Sequence, residues 1–322
     1  MNVNKCLHKG LIIILFVIGL SNCNMKSTDR VLKAEQQNET LEVLRNNMQT
    51  QEKWVKVHAA EFLLWSGYPD GVKETFLRED SLHEDVSFYR IGIWRVLAQA
   101  DQKHRDIWID KIKKAFLDEK GIDRIHAIET LAKLNISPFE NDMKINELLV
   151  VDSIDNFIIY KLWSFAYTSE ESFRLAQNAL LKLTVSADNA DSIRVISAYA
   201  LKKLGELDYL SWKLLAESAL TESSSLKVNL LNAAIITADI EALKTNSVNK
   251  ILTELIDLNE KDDKNVIRMN LLDALAEKGT KKHLDLILSV YKKLKSSEEV
   301  ESIDVLSSCA YALLMINNKQ MN

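Results

Sequence analysis

The sequence predicts an all-α protein, an α/α superhelical solenoid of about eight stacked helix pairs. Three observations predict it. First, 322 residues contain only 2 Pro and 8 Gly. A chain so poor in turn formers has few hairpins, and sheets need many. Second, one apolar phrase recurs along the chain. It starts at Lys56, Arg90, Arg124, Ile158, Arg194, Lys227, Arg268 and Val305, at intervals of 34, 34, 34, 36, 33, 41 and 37 residues. Third, the breakers Gly67-Tyr68-Pro69, Gly121, Gly205 and Gly279 fall between helical segments.

The chain opens on a segment that does not belong to the fold. Lys5 and Lys9 are a positive start, and Leu11 to Leu20 is an apolar run of ten residues. That is too short to span a bilayer and right for a secretory signal. Leu20-Ser21-Asn22-Cys23 follows directly and resembles the lipobox of bacterial lipoproteins. The resemblance implies a signal peptide over 1–22, cleavage before Cys23, lipid on Cys23, and a place in the bacterial cell envelope, anchored to a membrane. Only Cys309 is then left as a free thiol, so no disulfide can form within one chain. Residues 23–50 read as a tether running into a first, capping helix.

The repeat domain occupies 51–322. One residue after each anchor stand Val57, Ile91, Ile125, Ile159, Val195, Val228, Met269 and Leu306. The positions four and seven after each anchor are apolar too, for example Ala60 and Leu63, Trp94 and Leu97. Steps of three trace one stripe of an α-helix. Between the stripes lie second amphipathic segments, among them Ile107 to Phe116 and Leu284 to Leu294. No single helix pair can bury its apolar face alone, so the pairs must stack. Gly205 and Gly279 each follow a helix where a left-handed C-terminal glycine is expected.

RVISAYALKKLGE at 194–206 and DRIHAIETLAKL at 123–134 resemble the HEAT repeats of bacterial proteins. The resemblance covers about 52–316. It implies stacked HEAT-like helix pairs and says little of function, since such repeats serve as adaptors, scaffolds and a few enzymes. Tetratricopeptide repeats share the period of 34, but their Trp-Leu-Gly-Tyr phrase is absent.

His58 and Glu61, and His126 and Glu129, stand in equivalent positions two repeats apart, each pair on one helix face. HEAT-like deoxyhypusine hydroxylases hold iron on repeated His-Glu dipeptides. Here Ala59 and Ala127 follow the histidines, so no metal and no other cofactor is expected. The basic anchors form a ladder with two readings, a groove for acidic partners or sulfated glycans and, favoured, inter-repeat pairing with acids such as Glu61, Glu129 and Asp273. Trp54, Trp65, Trp94 and Trp108 cluster in the N-terminal third. Trp54, Trp65 and Tyr68 lie off the apolar stripe and are the candidate binding residues, because large aromatics anchor interfaces. Cys309 lies in the stripe as a buried thiol.

The net charge of −5 is spread along the chain, without a basic face for nucleic acid. No phosphate loop, metal knuckle or nucleophile elbow occurs. The reading is a non-enzymatic, lipid-anchored interaction or scaffold module that binds a protein or glycan through its concave face. The alternative is a metal-dependent or glycan-active enzyme, or an accessory subunit of one, on the same scaffold.

Overall fold

The computed structural model describes residues 32–140, 144–149, 154–262, 264–296 and 302–319. The expected signal peptide and Cys23 lie outside them. All regular structure among these residues is helical. In chain order the helices are α1 (Ala34–Thr50), α2 (Lys53–Trp65), α3 (Val72–His83), α4 (Tyr89–Ala100), α5 (Arg105–Leu117) and α6 (Arg124–Lys133). Then come α7 (Ile145–Leu149), α8 (Asn156–Phe165), α9 (Glu170–Val185), α10 (Asp191–Leu204), α11 (Tyr209–Thr221) and α12 (Lys227–Ile236). The last are α13 (Ile240–Lys244), α14 (Ser247–Lys261), α15 (Asn265–Lys278), α16 (Leu284–Lys295) and α17 (Ser302–Asn318).

Local chemistry sets several helix starts. Asp155, Ser169, Asp208 and Asp239 stand just before α8, α9, α11 and α13, and each side chain accepts a backbone N–H of the first turn. Gly205 follows α10 with φ +101° and ψ −151°, a backbone open to glycine but outside the left-handed helical cap expected of it. Gly279 differs from expectation. Its backbone is extended, with φ −67°. A Cβ there would lie 2.2 Å from the Leu275 carbonyl oxygen and 2.8 Å from Cδ1 of Ile316. The glycine serves close approach of α15 to α17.

Each anchor phrase falls on a helix of one inner layer: α2, α4, α6, α8, α10, α12, α15 and α17. Successive inner helices pack side against side. The positions four and seven after the anchors, from Ala60 and Leu63 through Cys309 and Ala312, are buried in all eight. The remaining helices form an outer layer, most of them packed on the inner helices that flank them in sequence. The regularity loosens at α7 and α13, each five residues long.

The solenoid closes on itself. α17 packs against α2, and α1 takes the outer position between them. Asn47 Nδ2 of α1 donates to Ser307 Oγ of α17 at 2.9 Å, and Leu32 N donates to Asn317 Oδ1 at 3.2 Å. Phe62 of α2 stacks on Tyr311 of α17 with ring centroids 4.7 Å apart. Asn318 Nδ2 donates to the Ser66 carbonyl just past α2. The first helix therefore seals a seam between the ends of the chain, where an open solenoid would use it to cap one end. The concave face becomes the lumen of a ring.

The C-terminal ends of the inner helices meet on one side of this ring. Leu207 N donates to the Thr237 carbonyl, Lys319 Nζ to that of Ala276, and Lys278 Nζ to that of Ala238. The inner helices thus run in one direction, and the lumen runs along them.

Candidate functional site

The lumen holds a cavity of about 720 Å³, and every inner helix contributes to its wall. The contributing rows are read easily once the ring is known. Five residues after the anchors stand Glu61, Arg95, Glu129, Trp163, Tyr199, Asn232, Asp273 and Ala310. Six of these eight line the cavity. Nine after the anchors stand Trp65, Gln99, Lys133, Tyr167, Lys203, Ile236, Glu277 and Leu314. Four of these eight line it, and Gln99 accepts a 2.9 Å hydrogen bond from Trp65 Nε1. Steps of four keep both rows on one helix face.

The wall is built of paired charges. Arg95 grips Glu61 with Nε and Nη2 at 2.6 and 2.9 Å, and both side chains are under 5% exposed. Lys133 pairs with Glu129 at 2.7 Å. Lys202 of α10 pairs with Asp273 of α15, bridging past α12. Asn232 Nδ2 donates to Asn270 Oδ1 at 2.9 Å and to Asp273 Oδ2 at 3.0 Å. His58 faces Asp304 across the seam at 3.1 Å.

Burial alone would raise the carboxyls of Glu61, Glu129 and Asp273. The neighbouring cations outweigh it in each case, so all three are held below the usual carboxylate range. Burial alone would raise Glu129, but the charge of Lys133 at 2.7 Å, with nearby His126 and Arg95, holds it down to about 2. Burial pushes the Lys202 ammonium down, against the pull of Asp273. Lys203 goes the other way: Asp273, Tyr199 and Glu277 outweigh burial and raise it. These carboxylates stand ionised at neutral pH, disposed to accept hydrogen bonds.

A depressed carboxyl stabilises the fold above its unfolded value, and that stability is lost as pH falls through the folded value. For Glu129 the window runs from about 4.5 down to about 2. The urea midpoint should hold between pH 7 and 5 and fall steeply below 4.5. Glu129→Gln should make that fall shallower, and an unchanged slope would show that this carboxylate does not couple to folding.

No protein-family model matches the chain. No curated protein and no solved structure matches it either. The site is read from its own residues.

The structure distributes the expected binding residues unevenly. Trp65 is 45% exposed and lies on the lumen wall, edge-on to Phe62 and Tyr311. Trp54 is half-buried away from the cavity, against His126 and beside Arg95. It occupies the space that a side chain at Gly92 would need, because a Cβ there would lie 2.9 Å from its ring. Tyr68 is half-buried outside the cavity lining, its hydroxyl accepting from Gln37 at 2.6 Å. Only five lining residues come from 52–116, so the site is not concentrated in the N-terminal third.

The histidines and glutamates of the weighed metal motif do not converge. His58 turns to Asp304, Glu61 to Arg95, and His126 packs between Trp54 and Phe88 with Glu129 3.7 Å away. Among the described residues no three His, Cys, Asp or Glu side chains cluster as metal ligands would.

The basic anchors are structural, with partners other than those expected. Lys56 pairs with Glu79, Arg90 with Asp123, Arg194 with Glu222 and Lys227 with Glu254. Glu61 and Asp273 belong to the lumen, five residues round the helix. Cys309 is buried, and burial pushes its thiol well up.

Proposed function

We propose that this chain is a binding protein of the bacterial envelope, held to a membrane by lipid on Cys23, whose ring lumen receives a glycan or a protein segment. One observation carries the lumen as the site: aromatic side chains, side-chain amides and ionised pairs from all eight inner helices converge on one cavity of about 720 Å³. Binding sites are concave and largely apolar, with a few placed polar groups. The anchor rests on the short apolar run followed by Leu20-Ser21-Asn22-Cys23. No helix among the described residues is long and apolar enough to cross a membrane. A glycan-active enzyme is the second reading. The lumen carboxylates Glu61 and Asp273 favour binding over that reading, because a general acid needs a raised carboxyl and these two are lowered.

Two variants test the two halves. Cys23→Ser should move the protein from the membrane fraction to the soluble fraction. Retention after a high-salt wash would sink the anchor. Asn229→Phe fills the lumen from a half-buried wall position and spares the ion pairs. Immobilised wild-type protein should retain material from an envelope extract that Asn229→Phe, with unchanged melting, does not. Equal retention by both would place binding outside the lumen.

A further inference from the structure

Resting on the lumen as the binding site, we infer that it takes an acidic saccharide, with a uronate carboxylate on Lys203 and a sugar ring against Trp65. Among the lumen cations, Arg95, Lys133 and Lys202 each hold a carboxylate in direct contact. Lys203 Nζ has no carboxylate within ion-pair distance among the described residues. It sits instead near two rings, 6.0 Å from the centroid of Trp65 and 5.9 Å from that of Tyr199. Its ammonium is raised, so it is charged. A charged ammonium in a largely enclosed wall, held against aromatic faces, is a receptor for an anion.

A second observation is independent of the first. Asn232 is 1% exposed and lines the same cavity. Its amide nitrogen is committed to Asn270 and Asp273, which assigns the oxygen. That oxygen, Oδ1, is buried without a hydrogen-bond partner among the described residues. An orphan buried acceptor costs free energy until a donor reaches it. A donor on the ligand would satisfy it.

The wall selects sugar over peptide. Each hydroxyl of a sugar ring both donates and accepts, and its neighbour on the ring does the same. The lumen sets a donor beside an acceptor at Lys202 and Asp273, whose ammonium and carboxylate carry hydrogen-bonding capacity beyond their mutual contact. The Trp65 ring plane is set by its bond to Gln99 and its edge contacts to Phe62 and Tyr311, which makes a fixed platform for an apolar sugar face.

The test uses the mature protein, titrated calorimetrically with uronate trisaccharides of galacturonic, glucuronic and mannuronic acid. Their methyl esters and a tripeptide with a free C-terminus and aromatic side chains complete the set. At least one uronate should bind tenfold or more tightly than its ester and quench tryptophan emission. Lys203→Met should abolish that preference, Lys203→Arg should keep it, and Lys213→Met, on the outer helix α11, should change nothing. If Lys203→Met melts early, the Arg variant and the loss of uronate affinity with added salt stand in its place. Equal binding of acid and ester would overturn the inference and leave the lumen as a site. Binding of the tripeptide alone would overturn it in favour of a peptide. Absence of any uronate binding at millimolar concentration also overturns it, and if the tripeptide fails too, the lumen reading falls with it.

Discussion

Arg95→Ala is expected to destabilise the fold by about 3–5 kcal/mol, the cost of stranding a buried charge. The Glu61 carboxylate is 3% exposed and Arg95 is 2% exposed, so solvent cannot replace the lost partner. Arg95 Nη1 also reaches Thr130 Oγ1 at 3.4 Å, so the guanidinium ties α2, α4 and α6 together. The apolar replacement of both partners, Glu61→Leu with Arg95→Met, should cost far less than either single change, because no charge is left unpaired. Urea unfolding of the two singles and the double closes the cycle. A single variant within 1 kcal/mol of wild type would mean that lumen water already solvates the pair.

Leu44→Ala is the second large effect, at about 2–5 kcal/mol for a buried leucine. Leu44 is fully buried on α1, the helix that seals the seam. In an open solenoid the terminal helix contacts one neighbour and frays alone. Here α1 touches both α2 and α17, so loosening it should loosen the other end of the chain. Hydrogen exchange reads this directly. Amides of α17, more than 250 residues away in sequence, should lose protection in Leu44→Ala together with those of α2. Loss confined to α1 would show that the ring closes by contact without sharing stability. Asn47→Ala, which removes the bond to Ser307, should show the same pattern at about 1 kcal/mol.

The candidate site was half legible before the fold was known. Trp65 could be picked out because it lies off the apolar stripe and still belongs to an apolar helix. Trp54 and Tyr68 satisfied the same criterion and went elsewhere. Trp54 fills the gap over Gly92, and Tyr68 hydrogen-bonds to α1. The row five after the anchors carried the stronger signal. Glu61, Arg95, Tyr199, Asn232 and Asp273 are polar or amphipathic residues in helices that are otherwise apolar on most sides. Such residues on an outer face would be solvated and unremarked. In a lumen they need partners: Glu61 has Arg95, Asp273 has Lys202, and Asn232 donates to Asn270 and Asp273. The acids of this row seemed natural partners for the basic anchors because both recur with the repeat. Five residues on a helix turn through about 500°, which carries the two rows to different faces.

Helix content, helix order and the apolar stripe of each inner helix are legible in the chain without any fold. Those properties are local: the scarcity of Gly and Pro, the capping residues, and steps of three and four that put Leu63, Leu97 and Leu131 in one stripe. The apolar run from Leu11 to Leu20 and the phrase Leu20-Ser21-Asn22-Cys23 are likewise read without any fold. Tertiary structure alone decided that the stack closes into a ring. Closure depends on the sum of small rotations between successive helix pairs, and a few degrees in each separate an open superhelix from a ring. From closure follow the contact of Phe62 with Tyr311, the pairing of Lys202 with Asp273 past an intervening helix, and the place of Lys203 against Trp65. Each joins residues 71 to 249 positions apart, and no periodicity within a window of a few turns can specify such a meeting.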